Sequence, residues 1–148
     1  MSPYSFKNGW DMSNISMVPN AGDYKQAAIA ARQIIRQRTL NGNDINGKPF
    51  VSYSKATVEI RSSIGKKTDI VNLEDTNAML GSLTTDSNNE GATVGLSNAN
   101  AAEYGLHHQT GAGVPKREWF GLSQIDGEKI SADISKRVIQ RNEKKGTK

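Results

Sequence analysis

The segment from Asp23 to Leu40, DYKQAAIAARQIIRQRTL, constrains the fold more than any other part of the chain. Ala27, Ala31, Ile34 and Ile35 form an apolar stripe at helical spacing, which predicts an amphipathic helix. Asp23 stands where an N-cap belongs. Asn41-Gly42 supplies a typical helix end. A helix of this length has to bury its stripe, so the rest of the chain must provide a surface that covers it.

The basic residues of this helix are expected to lie on the face opposite the apolar stripe. We expect the face that carries Lys25, Arg32, Arg36 and Arg38 to be solvated, and a groove for an acidic partner is the alternative. Arg36 and Arg38 also complement the negative end of the helix dipole.

Turn-forming residues dominate the next segment, Gly42 to Ala56. Asn46-Gly47 predicts a turn, and Lys48-Pro49 predicts an extended entry to Phe50. The cluster of Asn43, Asp44 and Asn46 is not a calcium loop, because no acidic residue stands at the twelfth ligand position.

A short helix and a hairpin are predicted to follow. We expect a helix over Lys55–Ser63 that Gly65 ends, although the alternation of Val58 and Ile60 also allows a strand. Asp75 or Thr76 would cap a turn that leads into Ala78, Met79 and Leu80. Residues 82–87 and 92–97 read as hairpin strands around Asn88 to Gly91, with Gly91 at a positive φ. Ala92, Val94 and Leu96 would share a buried face under the Asp23 helix.

Two more helices complete the predicted fold, one over Ala99–Gln109 and one that Ser123 caps. The second carries a stripe formed by Ile125, Ile130, Ile134 and Val138. We therefore predict an α+β fold, in which a small antiparallel sheet packs against a long N-terminal helix, with a C-terminal helix and an extended N-terminal arm. The expected limits are an irregular arm at 1–22, one domain at 23–139 and a basic flexible tail at 140–148.

Composition narrows the class of protein. The chain of 148 residues has no cysteine and a mean hydropathy of −0.61, so we expect a small core, no disulfide framework and no thiolate nucleophile. No apolar run reaches the length of a membrane span, and the N-terminus lacks the pattern of a secretory signal. These features predict a protein of the cytoplasm that contacts no membrane.

The excess positive charge lies near the C-terminus. Lys116 to Lys148 holds nine basic and five acidic residues, and the remainder holds ten of each. Such a segment attracts a phosphate backbone or an acidic partner surface, whereas the plain alternative is a solvated tail. The candidate contacts with DNA or an acidic partner are Arg137, Arg141, Lys144, Lys145 and Lys148.

The chemistry of the side chains argues against an enzyme. His107 and His108 are adjacent and cannot face one another on a helix, and Glu103 with His107 gives two ligands at best. No nucleophile elbow and no phosphate-binding glycine motif is present. We therefore expect no catalytic residue, metal, cofactor or small-molecule substrate. We expect either histidine to hydrogen-bond the backbone and to seat its helix against the following loop.

The segment from Ala101 to Ser123 concentrates aromatic and cationic side chains beside a proline. Aromatic side chains beside cations are typical of protein interfaces. The candidate interface residues are Trp10, Pro115, Lys116, Arg117, Trp119 and Phe120. On this reading, Trp119→Ala weakens assembly more than it unfolds the monomer.

Three stretches resemble the virion morphogenesis proteins of tailed bacteriophages, which include the tail-completion and neck proteins. Asn41–Ser54, NGNDINGKPFVSYS, resembles the family's loop after the first long helix. His108–Ser123, HQTGAGVPKREWFGLS, is similar to its His-Gln, Gly, Pro-Xaa-Arg-Xaa-Phe, Gly-Leu-Ser signature. Leu73–Leu83, LEDTNAMLGSL, resembles the segment before the hairpin, with Asn77 where glycine is usual.

The resemblance implies a structural protein of the virion neck that is assembled in the host cytoplasm. Such a protein forms a ring, here expected to be a homo-hexamer, that completes or terminates the tail and joins it to the DNA-filled head. Its partners would be the tail tube protein and the head-closure or connector protein. The alternatives are a head-side adaptor of the same neck and, in another class, a DNA-binding accessory protein that uses the basic C-terminus.

Overall fold

A computed structural model describes residues 17–73 and 78–146 of the chain, with side chains as far as Lys144. The helices are α1 (Ala21–Leu40), α2 (Lys55–Ser63), α3 (Ala78–Gly81), α4 (Ala99–Thr110) and α5 (Gln124–Gly146). The strands β1 (Leu83–Ser87) and β2 (Ala92–Leu96) form a two-stranded antiparallel sheet. The α+β class is therefore confirmed, with its long N-terminal and C-terminal helices. None of the described helices is long and apolar enough to cross a membrane.

The chain forms two compact units. Among the described residues, the first contains 17–31, Thr85–Val94 and 124–146. The second contains Arg32–Thr84 and Gly95–Ser123. Its apolar core is formed by Ile35, Phe50, Val71, Met79, Leu80, Leu83, Ala101 and Trp119. The predicted limits of a single domain, 23–139, stay a prediction.

The N-terminus of α1 lies two residues before the predicted start. Asn20 is the N-cap, since its Oδ1 accepts from the Asp23 N–H and its own N–H donates to Asp23 Oδ2, both at 2.9 Å. Asp23 is therefore the third helical residue of a reciprocal capping box, and its prediction as the N-cap is wrong. The predicted end is confirmed, because Gly42 adopts a φ of 80° and its N–H donates to the Thr39 carbonyl.

The buried face of α1 is offset from the predicted stripe. Beyond Asp23 in the first turn, the buried positions are Ala28, Ala31, Ile35 and Thr39, whereas Ala27 and Ile34 are half-buried. The Thr39 hydroxyl is accommodated in the core because it donates to the Ile35 carbonyl at 2.7 Å. Alanine side chains are small enough for either the buried or the exposed face of α1. The tertiary packing therefore decided which of them are buried.

The turn at Asn46-Gly47 is confirmed. Oδ1 of Asp44 accepts from the N–H groups of Asn46 and Lys48, both at 2.9 Å, so this carboxylate closes its own loop. Beyond the loop, α2 begins and ends at the predicted residues, and Ser54 caps it by accepting from the Thr57 N–H.

The hairpin forms between the predicted strands, but its turn differs. Gly91 does not adopt a positive φ, so that prediction is wrong. Oδ1 of Asn88 accepts from the N–H groups of Glu90 and Gly91, at 2.8 and 3.1 Å, and shapes the turn instead. The expected shared face is wrong for Ala92, which is exposed, whereas Val94 and Leu96 are half-buried. The turn contacts the start of α1, because the Ala21 N–H donates to Asn89 Oδ1 at 3.1 Å.

Helix α5 belongs to the first unit. Val138 is buried and Ile130 and Ile134 are half-buried, as the stripe predicts, but Ile125 is exposed. The helix continues to Gly146, beyond the predicted start of the tail at 140. Arg141 Nη1 contacts Asp23 Oδ2 at 2.7 Å and links α5 to the capping box of α1. Burial raises the pKa of Asp23, but hydrogen bonds from Asn20 and Arg141 and the Arg137 charge outweigh it and hold this pKa below its usual range.

Candidate functional site

Trp119 is the centre of the second unit. Its side chain is 1% exposed, and its indole N–H donates to the Gly105 carbonyl at 2.9 Å. The ring of Phe120 meets it edge to face, with 5.3 Å between the ring centroids. A Cβ atom at Gly105 would lie 2.8 Å from Trp119 Cζ2, so only glycine at this position of α4 lets the indole lie against the helix backbone.

The amide of Gln109 holds the backbone on both sides of the indole. Its Oε1 accepts from the N–H groups of Trp119 and Phe120, at 3.1 and 3.0 Å, and its Nε2 donates to the Phe120 carbonyl at 3.2 Å. A side-chain amide offers both donors and an acceptor. Gln109 alone therefore makes the kind of hydrogen bonds to this extended segment that a neighbouring strand would make.

Arg38 of α1, which is distant in the sequence, hydrogen-bonds the same segment. One terminal nitrogen, Nη2, donates to the carbonyls of Trp119 and Gly121, at 2.7 and 2.8 Å. The prediction that Arg38 belongs to a solvated face is therefore wrong. The Ile45 N–H adds a further bond, to the Glu118 carbonyl at 2.8 Å.

Arg117 is also buried, at 5% exposure. Its Nε and Nη2 donate to the carbonyls of Val51 and Ser52, at 3.0 and 3.4 Å, and its guanidinium lies 5.5 Å from the Tyr53 ring centroid. The Arg61 guanidinium lies 4.7 Å from the same centroid. These contacts bring the segment after α4 together with the loop after α1, which are the two longer stretches that carry the family resemblance.

The structure divides the predicted interface residues. Trp119 and Arg117 are part of the core of the second unit, so their prediction as direct subunit contacts is corrected. Phe120 is half-buried, and Pro115 and Lys116 are exposed, with Lys116 Nζ 3.2 Å from Glu118 Oε1. Trp10 lies outside the described residues. An interface role for the accessible residues stays a prediction.

The histidines do not make the predicted side-chain contacts with the backbone. His108 Nδ1 is buried and has no hydrogen-bond partner in the described part of the chain, whereas the His108 carbonyl accepts from the Arg117 N–H at 2.7 Å. Gln109, the next residue, makes the contacts that we expected of a histidine. Among residues 17–73 and 78–146, no group of three or more acidic or histidine side chains is placed to hold a metal ion.

The surroundings of His108 predict a loss of stability in mild acid. Burial, the Arg117 charge and the His107 charge lower the pKa of His108 below its ordinary value of 6.5. The unfolded chain therefore binds a proton at a higher pH than the folded chain does. We expect this contribution to be complete above pH 6.5 and to decline as the pH falls from there through the folded pKa.

Urea unfolding at several pH values tests this expectation. Replacement of His108 by glutamine should flatten the dependence between pH 7 and pH 5. His107→Gln removes only the smallest of the three causes and should leave most of the dependence in place. Parallel curves for the wild type and the His108→Gln variant would contradict the assignment.

The predicted basic contacts are only partly available. Arg137 Nε lies 3.0 Å from Asp133 Oδ2, and Arg141 contacts Asp23, so both already have acidic partners in the monomer. Lys144 is exposed. The side chain of Lys145 and the whole of Lys148 lie outside the described residues. Contact of this region with DNA stays a prediction.

A comparison with known protein families covers all three stretches that carry the family resemblance. A family model described as the phage virion morphogenesis family matches residues 23–139, more than half of the chain. The chain therefore belongs to the phage virion morphogenesis family, and it is a structural or assembly protein of a phage virion. Neither the search of curated proteins nor the search of solved structures gave a match.

Proposed function

We propose that the chain is a structural protein of the virion neck. It forms a homo-oligomeric ring, of six subunits, that completes or terminates the tail and joins it to the DNA-filled head. Its partners on the two sides are the tail tube protein and the head-closure or connector protein, and it performs no catalytic step. A head-side adaptor in the same neck is the second candidate.

Exposed apolar side chains in the second unit support assembly through this unit. They lie on α2, on α4 and in the loops, and the large ones are Val51, Ile60, Ile64, Ile70, Tyr104, Leu106 and Val114. In a ring, neighbouring subunits would cover exposed apolar side chains of this kind and remove them from water. The virion role of the family supplies the assembly.

Electron microscopy of a lysate in which the gene carries a nonsense mutation tests the neck function. We expect DNA-filled heads beside separate tails, because the joint between them lacks this protein. Overlong or ragged tails would identify the protein as the terminator that ends tail polymerisation. Intact virions in normal number would contradict the neck function.

A further inference from the structure

Helix α5 and the segment that leads into α1 form an apolar groove on the first unit. The volume of the groove is about 180 Å³, and it is lined by Met17, Pro19, Ile134, Ser135, Val138 and Ile139. Val138 is buried, whereas Met17 and Ile139 are 40% and 46% exposed. The groove therefore presents apolar surface whose removal from water would be favourable.

We propose that Ile15 of the same chain occupies this groove, so that the N-terminal arm docks on α5 of its own subunit. Residues 1–16 lie outside the described part of the chain, which begins at Met17. The inference concerns the first unit alone and does not depend on the neck function.

The place where the described chain begins selects the arm as the occupant. Met17 lines the groove, and its Sδ accepts a hydrogen bond from Asn142 Nδ2 of α5 at 3.6 Å. Ile15 precedes Met17 by two residues, a distance of about 7 Å in an extended chain. Side chains two residues apart in an extended chain point to the same side, so an extended approach directs Ile15 to the side on which Met17 lines the groove.

The groove and the segment before Met17 agree in size and in charge. An engineered apolar cavity of about 150 Å³ holds benzene, so a groove of about 180 Å³ accommodates an isoleucine side chain. None of the six lining residues carries a charge, and the segment Met12–Ser16, MSNIS, carries none either. Docking of Ile15 would therefore bury apolar surface without the cost of burying a charge.

The covalent link favours the arm over a separate molecule. A group on a short tether is present near its site at an effective concentration in the millimolar range. A second copy of the chain, or another protein, lacks this advantage and also loses translational and rotational freedom when it binds. Either one would have to displace Ile15 in order to reach the groove.

An engineered disulfide tests the contact, since the chain has no cysteine of its own. In the full chain with Ile15→Cys and Ser135→Cys, we expect oxidation to form an intrachain disulfide. Gln140→Cys in place of Ser135→Cys is the matched control, because Gln140 is also exposed but lies on the face of α5 away from the groove. The control should give at least tenfold less intrachain product, measured by non-reducing electrophoresis and by mass spectrometry of the peptides.

Every other pattern of disulfides would contradict the docking. An interchain disulfide in place of the intrachain one would show that a second copy covers the groove. Equal intrachain yields at positions 135 and 140, or no disulfide at either, would show that Ile15 does not lie in the groove.

A charge at position 15 tests the same contact without cysteine. Ile15→Asp should release the arm, because a carboxylate loses its hydration in an apolar groove. Chymotrypsin should then cleave the full chain after Trp10 at least tenfold faster, since cleavage follows the population of the undocked state. Asn14→Asp adds the same charge one residue earlier and should change the rate by less than about threefold. Equal cleavage of the wild type and Ile15→Asp would overturn the proposal.

Discussion

Trp119→Ala should unfold the second unit under conditions in which the wild type is stable. Removal of a buried tryptophan typically costs about 3–5 kcal/mol, and small domains have only about 5–15 kcal/mol of stability in total. The variant also loses the hydrogen bond that the indole N–H donates to the Gly105 carbonyl. Urea unfolding followed by circular dichroism measures the loss.

Two further substitutions make the result specific. Trp119→Phe keeps an aromatic ring but not the indole N–H, so its cost should be smaller than that of alanine. Tyr104→Ala removes an exposed aromatic side chain from α4 and should change the free energy of unfolding by less than about 0.5 kcal/mol. A Trp119→Ala chain with wild-type stability but impaired assembly would restore the interpretation of Trp119 as a subunit contact.

Gly105→Ala should destabilise the chain, although glycine to alanine inside a helix normally stabilises by up to about 1 kcal/mol. The added Cβ would lie 2.8 Å from Trp119 Cζ2 and 3.2 Å from Leu96 Cδ1, so the indole or α4 has to move. Overpacking of this kind typically costs about 1–3 kcal/mol. Urea unfolding of the variant measures the sign as well as the size of the change.

A control and a double variant test the cause. A Cβ at Gly127 in α5 would meet nothing within 4 Å, so Gly127→Ala should be neutral or stabilising. The phenyl ring of Trp119→Phe lacks the indole atom nearest to Gly105, so Gly105→Ala should cost less in that background. Equal costs in both backgrounds would show that Trp119 is not the source of the clash.

The secondary structure was largely predictable because its signals are local. The bounds of α2 and the positions of both strands follow from periodicity and turn residues. The predictions at Asp23 and Gly91 failed for the same reason. In each case an asparagine side chain made the hydrogen bonds that close the local structure, at the start of α1 and in the hairpin turn. Asn20 and Asn88 each have several nearby backbone N–H groups to bond, and the sequence does not say which geometry prevails.

The candidate site was only partly predictable. The segment around Trp119 was identified from its composition, but its orientation was not, because an aromatic residue beside cations is common in interfaces and in cores alike. A signal for burial existed in retrospect. Gly105 lies within a helix where glycine is unfavourable, and such a glycine commonly marks a close approach by another group.

The sequence alone determined where the helices and strands form, that the chain is α+β and that it belongs with phage virion morphogenesis proteins. The tertiary structure alone decided which side chains face inwards. Arg38 and Trp119 are 81 residues apart, and Arg117 and Val51 are 66 residues apart, yet their contacts bury Trp119 and Arg117 within one unit. Burial depends on such distant partners, whereas helical period, capping and turn chemistry act over a few neighbouring residues.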